Sequence, residues 1–336
     1  MTNHPDTLVF SGDIGGTKIR LGLWEVKEGA LNLLEDCTVV SSEVSGPVEA
    51  VRSVCKEGDL RGLVACFGVA GPVRGGRSRL TNLPWIIDSE NLERELGFEK
   101  ALVINDLEAT AWAVGHLQPS SLRQVKAGTA DPDGAVAVIA AGTGLGQAGL
   151  IRTGERLAIC SGEGGHVDFA PQGSLEVELH HFLADRYGHV SWERVVSGPG
   201  LVDLANFFFM RSGHSIQEWI DFHGNPDDLA ASVASAAMSG GPEACAAALD
   251  LFVTLLGAQA GNLALSFGAT GGVYLAGGIP PKILPAILGG SFTERFLDKG
   301  RMRSLLEAVP VSVILDQDAP LLGAARRAIA DENRSV

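Results

Sequence analysis

One short segment, Gly12-Asp-Ile-Gly-Gly-Thr17, lies between two apolar strand patterns and constrains the fold more than any other stretch. An apolar run, Leu8 to Phe10, precedes it, and an alternating run, Ile19 to Leu23, follows it. Two strand patterns joined at a Gly-Gly pair are typical of a tight hairpin. The sequence therefore predicts that the chain opens with a β-hairpin whose turn contains Gly15 and Gly16.

The residues of this turn also fit phosphate chemistry. Glycine permits positive φ and leaves backbone N–H groups bare enough to approach a phosphate. Asp13 before the turn and Thr17 after it supply the carboxylate and hydroxyl oxygens that a hydrated Mg²⁺–phosphate group requires. A plain Gly-Gly hairpin with no ligand is the alternative interpretation of the same residues.

Composition excludes several classes of protein. With 336 residues, 46% of them hydrophobic and 20% charged, the chain is long enough for two globular domains. A formal charge of −14 argues against nucleic-acid binding, which requires a concentrated basic patch. The most apolar stretch, about Ala244 to Phe267, is interrupted by polar residues and predicts a buried core helix, so we expect no membrane partner.

Cysteine usage and the N-terminus both indicate a cytoplasmic location. The five cysteines are odd in number and lack metal-type pairing, which is typical of a reduced cytosolic protein. The first six residues show no basic region followed by an apolar core, so no signal peptide is expected.

The segment after Trp85 predicts a short helix. Ser89 is expected to cap its start, and Gly97 is expected to end it.

Polar groups follow a buried strand in the first half of the chain. The run Ala101 to Ile104 is apolar and ends on an amide, Asn105, and an acid, Asp106. Open α/β sheets place ligand chemistry at the carboxyl ends of their strands. Asp106 is therefore a candidate site residue, although an acid in this position could instead only cap the following helix.

The strand–glycine turn–strand theme returns about 130 residues later. Ala135 to Ala141 is a strand pattern, Gly142-Thr-Gly-Leu-Gly146 a glycine turn, and Ala148 to Ile151 resumes the apolar pattern. A third glycine pair, Gly277-Gly278, follows another apolar strand pattern. The recurrence indicates two similar halves that face each other.

The order of these segments resembles that of the bacterial glucokinase family, which belongs with hexokinase, actin and Hsp70 and is related to the ROK sugar kinases. The segments that carry the resemblance are Gly12–Thr17, Thr81–Trp85, Val103–Asp106, Ala141–Gly146, Gly162–Pro171, Glu193–Gly200 and Leu275–Gly278. It spans essentially the whole chain. It implies an α/β, two-domain, hexokinase/actin-like (ribonuclease H-like) fold with an interdomain cleft.

The resemblance also implies domain limits and an activity. Residues 1–112 together with about 316–336 would form a smaller α/β domain, and residues 113–315 a larger α+β domain. The implied reaction transfers the γ-phosphoryl group of ATP to the 6-hydroxyl of D-glucose, giving glucose 6-phosphate and ADP, the first step of glycolysis. The family further implies a homodimer formed through the larger domain.

Site residues carry over position by position. Asp106 resembles the general base that takes the proton of the sugar 6-hydroxyl. The residues that resemble the family's sugar-binding set are Asn82, Asn105, Asp106, Glu163, His166 and Glu193. Sugar hydroxyls both donate and accept hydrogen bonds, so carboxylates, amides and an imidazole can bind them with direction.

The glycine turns resemble the family's ATP-binding segments. The residues concerned are Gly12, Asp13, Ile14, Gly15, Gly16 and Thr17 from one domain, Gly142, Thr143 and Gly144 from the other, and Gly277 and Gly278 beside the adenosine. Asp13 would hold Mg²⁺ through water. Phosphates shared by two domains imply a cleft that closes on its substrates and excludes water.

The chain departs from the ROK pattern in one respect. Many ROK kinases follow their glycine–histidine loop with a zinc-binding cysteine cluster. Here His166 is followed by Val-Asp-Phe-Ala-Pro, so no zinc is expected.

Several alternatives remain at this stage. Glu163 and His166 could be ordinary loop residues, and Glu193 a surface charge. The run Gly144-Leu-Gly-Gln-Ala-Gly149 fits a dinucleotide-binding pattern, but a helix should open at Gly149, where the sequence predicts a strand. A kinase for another hexose or an N-acetyl amino sugar, and a non-catalytic ATP-binding actin-like regulator, are the other candidates.

Overall fold

The computed structural model describes residues 7–56, 58–80, 83–154, 156–225 and 228–332. Within these ranges the strands are β1 (Thr7–Ile14), β2 (Lys18–Lys27), β3 (Ala30–Val40), β4 (Val64–Val69), β5 (Val73–Arg74), β6 (Arg77–Arg79), β7 (Ile86–Asp88), β8 (Lys100–Asn105), β9 (Leu122–Lys126), β10 (Val136–Ala141), β11 (Leu145–Thr153), β12 (Arg156–Gly162), β13 (Gly272–Ala276) and β14 (Val311–Ile314).

The helices of the same ranges are α1 (Pro47–Val54), α2 (Ser89–Leu96), α3 (Asp106–Ala113), α4 (Gly173–Tyr187), α5 (Gly198–Arg211), α6 (Ile216–His223), α7 (Leu229–Met238), α8 (Glu243–Phe267), α9 (Leu284–Ile287), α10 (Ser291–Leu297), α11 (Arg303–Ala308) and α12 (Ala319–Glu332). Strands and helices alternate along much of the chain, and the α/β class expected from the sequence is confirmed.

The chain divides into two compact units. The first contains the residues up to Gln118 together with those from Asp316 onward, and the second is Pro119–Leu315. The border expected at residue 112 would cut α3 one residue before its end, whereas the units divide beyond that helix.

The first unit is built on a five-stranded sheet of order β3-β2-β1-β4-β8. The three strands β1, β2 and β3 run antiparallel, and β4 and β8 join β1 in parallel. All six residues of β4 are buried because both faces of the sheet are covered. Phe67 packs into a core on one face, whereas Cys66 faces a second core that includes α12.

The second unit repeats this arrangement. Its sheet has the order β12-β11-β10-β13-β14-β9, in which β10, β11 and β12 run antiparallel and β13 and β14 join β10 in parallel. The second strand–glycine turn–strand segment is therefore the topological counterpart of the first, as the recurrence in the sequence indicated. The added edge strand β9 pairs antiparallel with β14.

Helices α4, α5, α7 and α8 form most of the large core of the second unit. Within the described ranges, α8 alone is long and apolar enough to span a bilayer, and 78% of its apolar 18-residue segment is buried inside the protein. Gly257 and Gly261 of α8 allow the backbone of α10 to approach, since a Cβ at Gly257 would lie 2.3 Å from the carbonyl oxygen of Phe292. The expectation of a buried core helix is confirmed.

The start of α2 differs from the prediction by one residue. The sequence indicated Ser89 as the cap, but Asp88 occupies that position with extended backbone, and its side chain accepts a hydrogen bond from the Asn91 amide. Both residue types cap helices well, so only the backbone dihedral angles decide between neighbours. Gly97 ends the helix in left-handed conformation, as predicted.

A stability prediction follows from the contact between α3 and α12. A Cβ at Gly323 of α12 would lie 1.7 Å from the carbonyl oxygen of Ala109 in α3, so the helices must separate to admit a side chain. We expect Gly323→Ala to lower the free energy of unfolding by about 3 kcal/mol, the upper range for an overpacked core. Urea denaturation followed by circular dichroism measures this change.

The matched control is Gly115→Ala, in a short helical turn of the same unit where a Cβ would meet nothing within 4 Å. This substitution should leave the unfolding transition almost unchanged. Equal transitions for the two variants would contradict the close approach of α3 and α12.

Candidate functional site

The β1–β2 turn in the first unit is held by its own backbone. The Gly15 amide donates to the carbonyl oxygen of Lys18 at 2.9 Å, while Gly16 and Thr17 are exposed at the tip. Gly15 does not have the positive φ that the sequence predicts for glycine in this turn. Space is the constraint instead, because a Cβ at Gly15 would lie 3.0 Å from the Lys18 oxygen.

Two further residues of the predicted phosphate segment have clear packing roles. Gly12 lies in β1, where a Cβ would come within 2.5 Å of the Phe67 ring. Ile14 is fully buried in the core on that face of the sheet, and its carbonyl oxygen accepts from the Ala70 amide. Packing therefore accounts for the absence of a side chain at Gly12 and for the apolar side chain of Ile14.

Asp13 lies between these two residues and is partly buried. Burial, chiefly, together with the negative charge of Asp106, raises the pKa of Asp13 to about 6, against a smaller opposing effect of Arg20. Arg20, its partner across β1 and β2, also forms an ion pair with Asp318. Asp106 thus lies near enough to Asp13 for its charge to contribute to this raised pKa.

Asn105 and Asp106 stand where β8 passes into α3. Asn105 is the capping residue of α3, because its side-chain oxygen accepts from the Leu107 amide at 2.9 Å, and its Nδ2 donates to the carbonyl oxygen of Gly71 at 3.1 Å. Asp106 is the first helical residue, and its Oδ1 shares the Leu107 amide at 2.8 Å. Capping is therefore the work of Asn105, and it does not explain Asp106.

The pKa of Asp106 is raised, mainly by burial of its carboxyl group. Hydrogen bonds from the Leu107 amide and from Asn105 oppose the shift because they stabilise the charged form. A carboxylate with a raised pKa at the carboxyl end of a sheet strand has the properties of a general base.

The corresponding turn of the second unit contains Gly142, Thr143 and Gly144. The Gly142 amide donates to the carbonyl oxygen of Gly144 at 2.9 Å, and the Gly142 oxygen accepts from Gly198, the first residue of α5, at 2.8 Å. The turn is thereby fixed to the N-terminus of a 14-residue helix. Such an N-terminus carries partial positive charge and favours bound anions.

Glu193 is held against this turn. Its Oε2 accepts from the Leu145 amide at 3.0 Å, and a Cβ at Gly144 would lie 2.6 Å from the same oxygen. The side chain of Glu193 is only 28% exposed. Glu193 is therefore fixed by the turn and is not an isolated surface charge.

Three of the predicted sugar-binding side chains meet in the second unit. His166 Nδ1 lies 3.9 Å from Glu193 Oε1, and His166 Nε2 lies 3.9 Å from Glu163 Oε2. The side chains of His166 and Glu163 are 60% and 79% exposed, so their polar atoms are free to meet a ligand. Two carboxylates that flank an imidazole offer both acceptors and a donor to a ring of hydroxyls.

The loop that presents Glu163 and His166 depends on close packing against β11. A Cβ at Gly165 would lie 2.1 Å from the carbonyl oxygen of Leu145, and one at Gly164 would lie 2.4 Å from Gln147 Oε1. Gln147 is 5% exposed, and its Nε2 has no hydrogen-bond partner within the described part of the chain. The two glycines thus let the loop lie directly on the strand.

A cavity of about 610 Å³ opens beside the turn of the second unit. Gly142, Thr143 and Gly278, all predicted to bind ATP, line it together with the start of α5. Gly277, at the end of β13, has left-handed backbone, and a Cβ there would lie 2.3 Å from the carbonyl oxygen of Ala141. The structure therefore brings the second and third glycine turns to one cavity.

The polar wall of this cavity escaped the sequence interpretation. Asp203 of α5 is buried and accepts hydrogen bonds from Arg186 Nη1 at 2.6 Å and from the Tyr187 hydroxyl at 2.7 Å. Burial raises the pKa of Asp203, against the opposing effect of Tyr187 and the arginines. No local pattern could have revealed this cluster, because its members come from two different helices.

Two expectations concern residues or groups outside this geometry. Asn82 lies outside the described residues. No set of three His, Cys, Asp or Glu side chains converges as a metal site in the ranges that the structure covers. Asp13, with a single carboxylate, fits the looser role of holding a hydrated Mg²⁺ through water.

The dinucleotide-binding interpretation is excluded by secondary structure. Gly149 lies inside β11, paired with Ala137 and Cys160, instead of opening a helix. The pyrophosphate-binding helix N-terminus that such a motif requires is therefore missing at this position.

Comparison with solved structures defines the class of protein. A ROK family glucokinase from Streptomyces griseus in complex with glucose and AMPPNP shares the fold, with a TM-score of 0.62 at 24% identity over 96% of this chain and 99% of that one. A glucokinase from an Antarctic psychrotroph is closer, with a TM-score of 0.86 at 33% identity over 96% and 99% of the two chains. The fold is that of the two-domain sugar kinases.

Sequence comparison gives the family. A profile described as Glucokinase matches residues 10–331. The glucokinase of Nostoc sp. (strain PCC 7120) is 38% identical over 95% of this chain and 98% of its own length. The chain belongs to the glucokinase family, and is thus an ATP-dependent hexose kinase.

The raised pKa of Asp13 predicts a pH-dependent stability. An acid whose pKa rises from 3.8 to about 6 on folding destabilises the folded state where it is charged, and this cost disappears below pH about 4. We expect Asp13→Asn to stabilise the ligand-free protein at neutral pH by on the order of 3 kcal/mol, since each pKa unit corresponds to about 1.4 kcal/mol. The gain should shrink as the pH falls from about 6 toward about 4.

Thermal unfolding of both proteins across this pH range measures the difference. Asp36→Asn, at an exposed acid on β3 of the same unit, is the control and should show no such trend. A stability difference that stays constant with pH would contradict the burial of Asp13.

Proposed function

We propose that this protein is a Mg²⁺-dependent glucokinase that transfers the γ-phosphoryl group of ATP to the 6-hydroxyl of D-glucose, giving glucose 6-phosphate and ADP. Membership of the glucokinase family supports the reaction. One observation carries the mechanism: the carboxyl group of Asp106, with a raised pKa, lies at the end of β8, where Asn105 already caps the helix.

In this proposal Asp106 orients the 6-hydroxyl and accepts its proton. As the bond from the hydroxyl oxygen to the γ-phosphorus forms and the bond to ADP breaks, the proton passes to the carboxylate. A raised pKa makes Asp106 a better proton acceptor near neutral pH than an ordinary aspartate. Asn105 contributes chiefly by fixing the start of α3, because both ends of its amide are already hydrogen-bonded.

The sugar would be held by Glu163, His166 and Glu193 of the second unit. The exposed polar atoms of Glu163 and His166, together with the second carboxylate oxygen of Glu193, offer directional partners to ring hydroxyls, and a site built this way rejects an epimer that leaves a group unpaired. Glu193 adds a link to the phosphate turn, because one of its oxygens is fixed by the Leu145 amide. The Streptomyces griseus enzyme of the same fold was solved with glucose and AMPPNP, which supports this pair of ligand types.

ATP would take the cavity beside Gly142, Thr143 and Gly278, with its phosphates near the turn and the N-terminus of α5. Gly15, Gly16 and Thr17 of the first unit would contact the same phosphates. Asp13 is the residue that would hold Mg²⁺ through water, and this assignment is supported by the burial and the nearby Asp106 charge that raise its pKa, since a cation would offset both effects. The bound ion supplies charge neutralisation to the phosphates.

The division of these residues between the two units is the basis for a domain-closure proposal. With the base in the first unit and the sugar-binding side chains in the second, turnover requires that both domains close on their substrates and exclude water. We also propose a cytoplasmic location and a homodimer. The described cysteines are all free, which supports a reducing compartment, and family resemblance supports the dimer.

A coupled ADP-release assay with MgATP tests the function across glucose, mannose, fructose, galactose, N-acetylglucosamine and N-acetylmannosamine. We expect turnover with glucose and little with the other sugars. A preference for an N-acetylated sugar would mean that the sugar-binding residues recognise an amino sugar in place of glucose, while Asp106 would keep its role as the base. An absence of sugar-dependent turnover would overturn the proposed activity.

Substitution of the base provides the first mechanistic prediction. Asp106→Ala should lower kcat by about 10³-fold, the usual contribution of a positioned general base, while glucose still binds. Rapid kinetics together with calorimetric titration of glucose separate the two effects. The isosteric Asp106→Asn should be equally slow, and near-normal turnover in either variant would refute the role of Asp106.

Substitution of Glu163, a proposed sugar-binding residue, provides the second mechanistic prediction. Glu163→Gln should raise KM for glucose about tenfold with a smaller change in kcat, because loss of a charged hydrogen bond weakens sugar binding. Glu218→Gln changes an exposed glutamate on α6 of the same unit and serves as the charge-matched control. An unchanged KM for glucose in Glu163→Gln would remove Glu163 from the sugar site.

A further inference from the structure

The cavity of the second unit presents two cations to its interior, Arg186 and Lys282, among its described lining residues. The chain as a whole carries a formal charge of −14, so its general field repels a nucleoside triphosphate. A nucleotide that binds in this cavity therefore needs local positive charge to offset that repulsion. The surroundings of the two side chains show which of them is available for it.

Arg186 is already neutralised. Its Nη1 donates to Asp203 Oδ1 at 2.6 Å, and the other oxygen of Asp203 accepts from the Tyr187 hydroxyl at 2.7 Å. Asp203 is buried, so removal of its cation would leave a costly unpaired charge. The ion pair with Asp203 thus holds Arg186 at the cavity wall.

The other carboxylate at the cavity, Asp228, is likewise in use. It caps α7, where its Oδ1 accepts from the Ala231 amide at 3.0 Å. The partial positive charge of a helix N-terminus stabilises an acid in this position. Neither an ion pair nor a hydrogen bond joins Asp228 to Lys282 in the described part of the chain.

Lys282 has a fixed backbone and a free ammonium group. Its amide donates to the carbonyl oxygen of Ile279 at 2.9 Å, and the next residue, Ile283, is 1% exposed in the core. Gly278, which immediately precedes this turn, also lines the cavity. Within the ranges that the structure describes, the Lys282 ammonium makes no hydrogen bond or ion pair, and the side chain is exposed.

We propose that Lys282 is a nucleotide-binding residue: its backbone follows Gly278, on the side of the cavity expected to hold the adenosine, and its long side chain carries the ammonium group to the phosphates that ATP and ADP share. The inference rests on the proposed function and assigns a residue that the sequence motifs did not single out. A lysine ammonium offers three donors on a flexible stem, which suits an anionic chain of variable conformation. ATP and ADP would make the same contact with Lys282. The contact would therefore contribute to nucleotide affinity and not to cleavage of the bond to the γ-phosphorus.

The test compares Lys282→Met and Lys282→Arg with the wild type by calorimetric titration of MgADP and of adenosine. We expect Lys282→Met to weaken MgADP binding about tenfold, the loss of one charged hydrogen bond, while adenosine binds as before. Lys282→Arg should retain most of the affinity because the charge is kept. Added KCl should weaken MgADP binding less in Lys282→Met than in the wild type.

Arg301→Met is the matched control, since Arg301 is an exposed cation of the same unit in the turn Gly300–Met302, away from the cavity. It changes the net charge by the same amount and should leave both titrations unaltered. Equal MgADP affinity in Lys282→Met and Arg301→Met would overturn the proposal. An equal loss of adenosine and MgADP binding would also overturn it, because the contact would then be with the nucleoside.

Kinetics separate this inference from the proposed function. In the wild type, turnover with glucose and MgATP tests the function itself, whereas the titrations test Lys282 without turnover. If the wild type is active, Lys282→Met should raise KM for MgATP about tenfold with KM for glucose unchanged. If the wild type phosphorylates no sugar, the proposed function fails and the MgADP titration still decides the role of Lys282.

Discussion

Close backbone approach at the carboxyl end of β10 is the constraint on which the second unit depends. The backbone positions of Gly277, Gly165 and Gly144 each come so near to Ala141, Leu145 or Glu193 that a Cβ would lie within 2.1 to 2.6 Å of an oxygen atom. These approaches bring the end of β13, the loop that contains Glu163 and His166, and the Glu193 carboxylate to one short turn. A side chain at Gly277 or Gly165 would push against backbone and force the strand end or the loop away, whereas one at Gly144 would displace the Glu193 carboxylate. The first role of these glycines is therefore structural, because the close approaches they allow give the site its geometry.

The sequence predicted those parts of the fold and site that leave a local pattern. Hairpins closed by glycine, the buried run before Asp106 and the glycine loop around His166 all depend on neighbours along the chain, and all are present. The reason for a glycine was harder to predict than its place. Gly15 was expected to serve through backbone conformation, whereas the structure shows that it serves by giving room to the Lys18 carbonyl oxygen. Local sequence contains no record of which distant atom will fill the space.

Features that depend on distant pairing could not be predicted. The edge strand β9 exists because β14, far along the chain, offers it a free edge. The wall of the cavity joins Tyr187 of α4 to Asp203 of α5, and each residue alone resembles an ordinary helix residue. The cap of α2 fell one position away from the expected serine because two good capping residues stand side by side. In each case tertiary context decided between options that local propensity leaves nearly equal.

The composition of the first unit from two separate stretches of chain has a consequence for biosynthesis. Its second core places Val9 of β1 and Cys66 of β4 against Ala324 and Ala328 of α12, which are among the last described residues to be translated. The second unit, by contrast, is one continuous stretch, Pro119–Leu315. On the ribosome the middle of the chain can thus bury its core first, while the earliest-made strands wait with one apolar face uncovered. The unit that contains Asp106 would therefore complete its core after the second unit, although its first strands are made earlier.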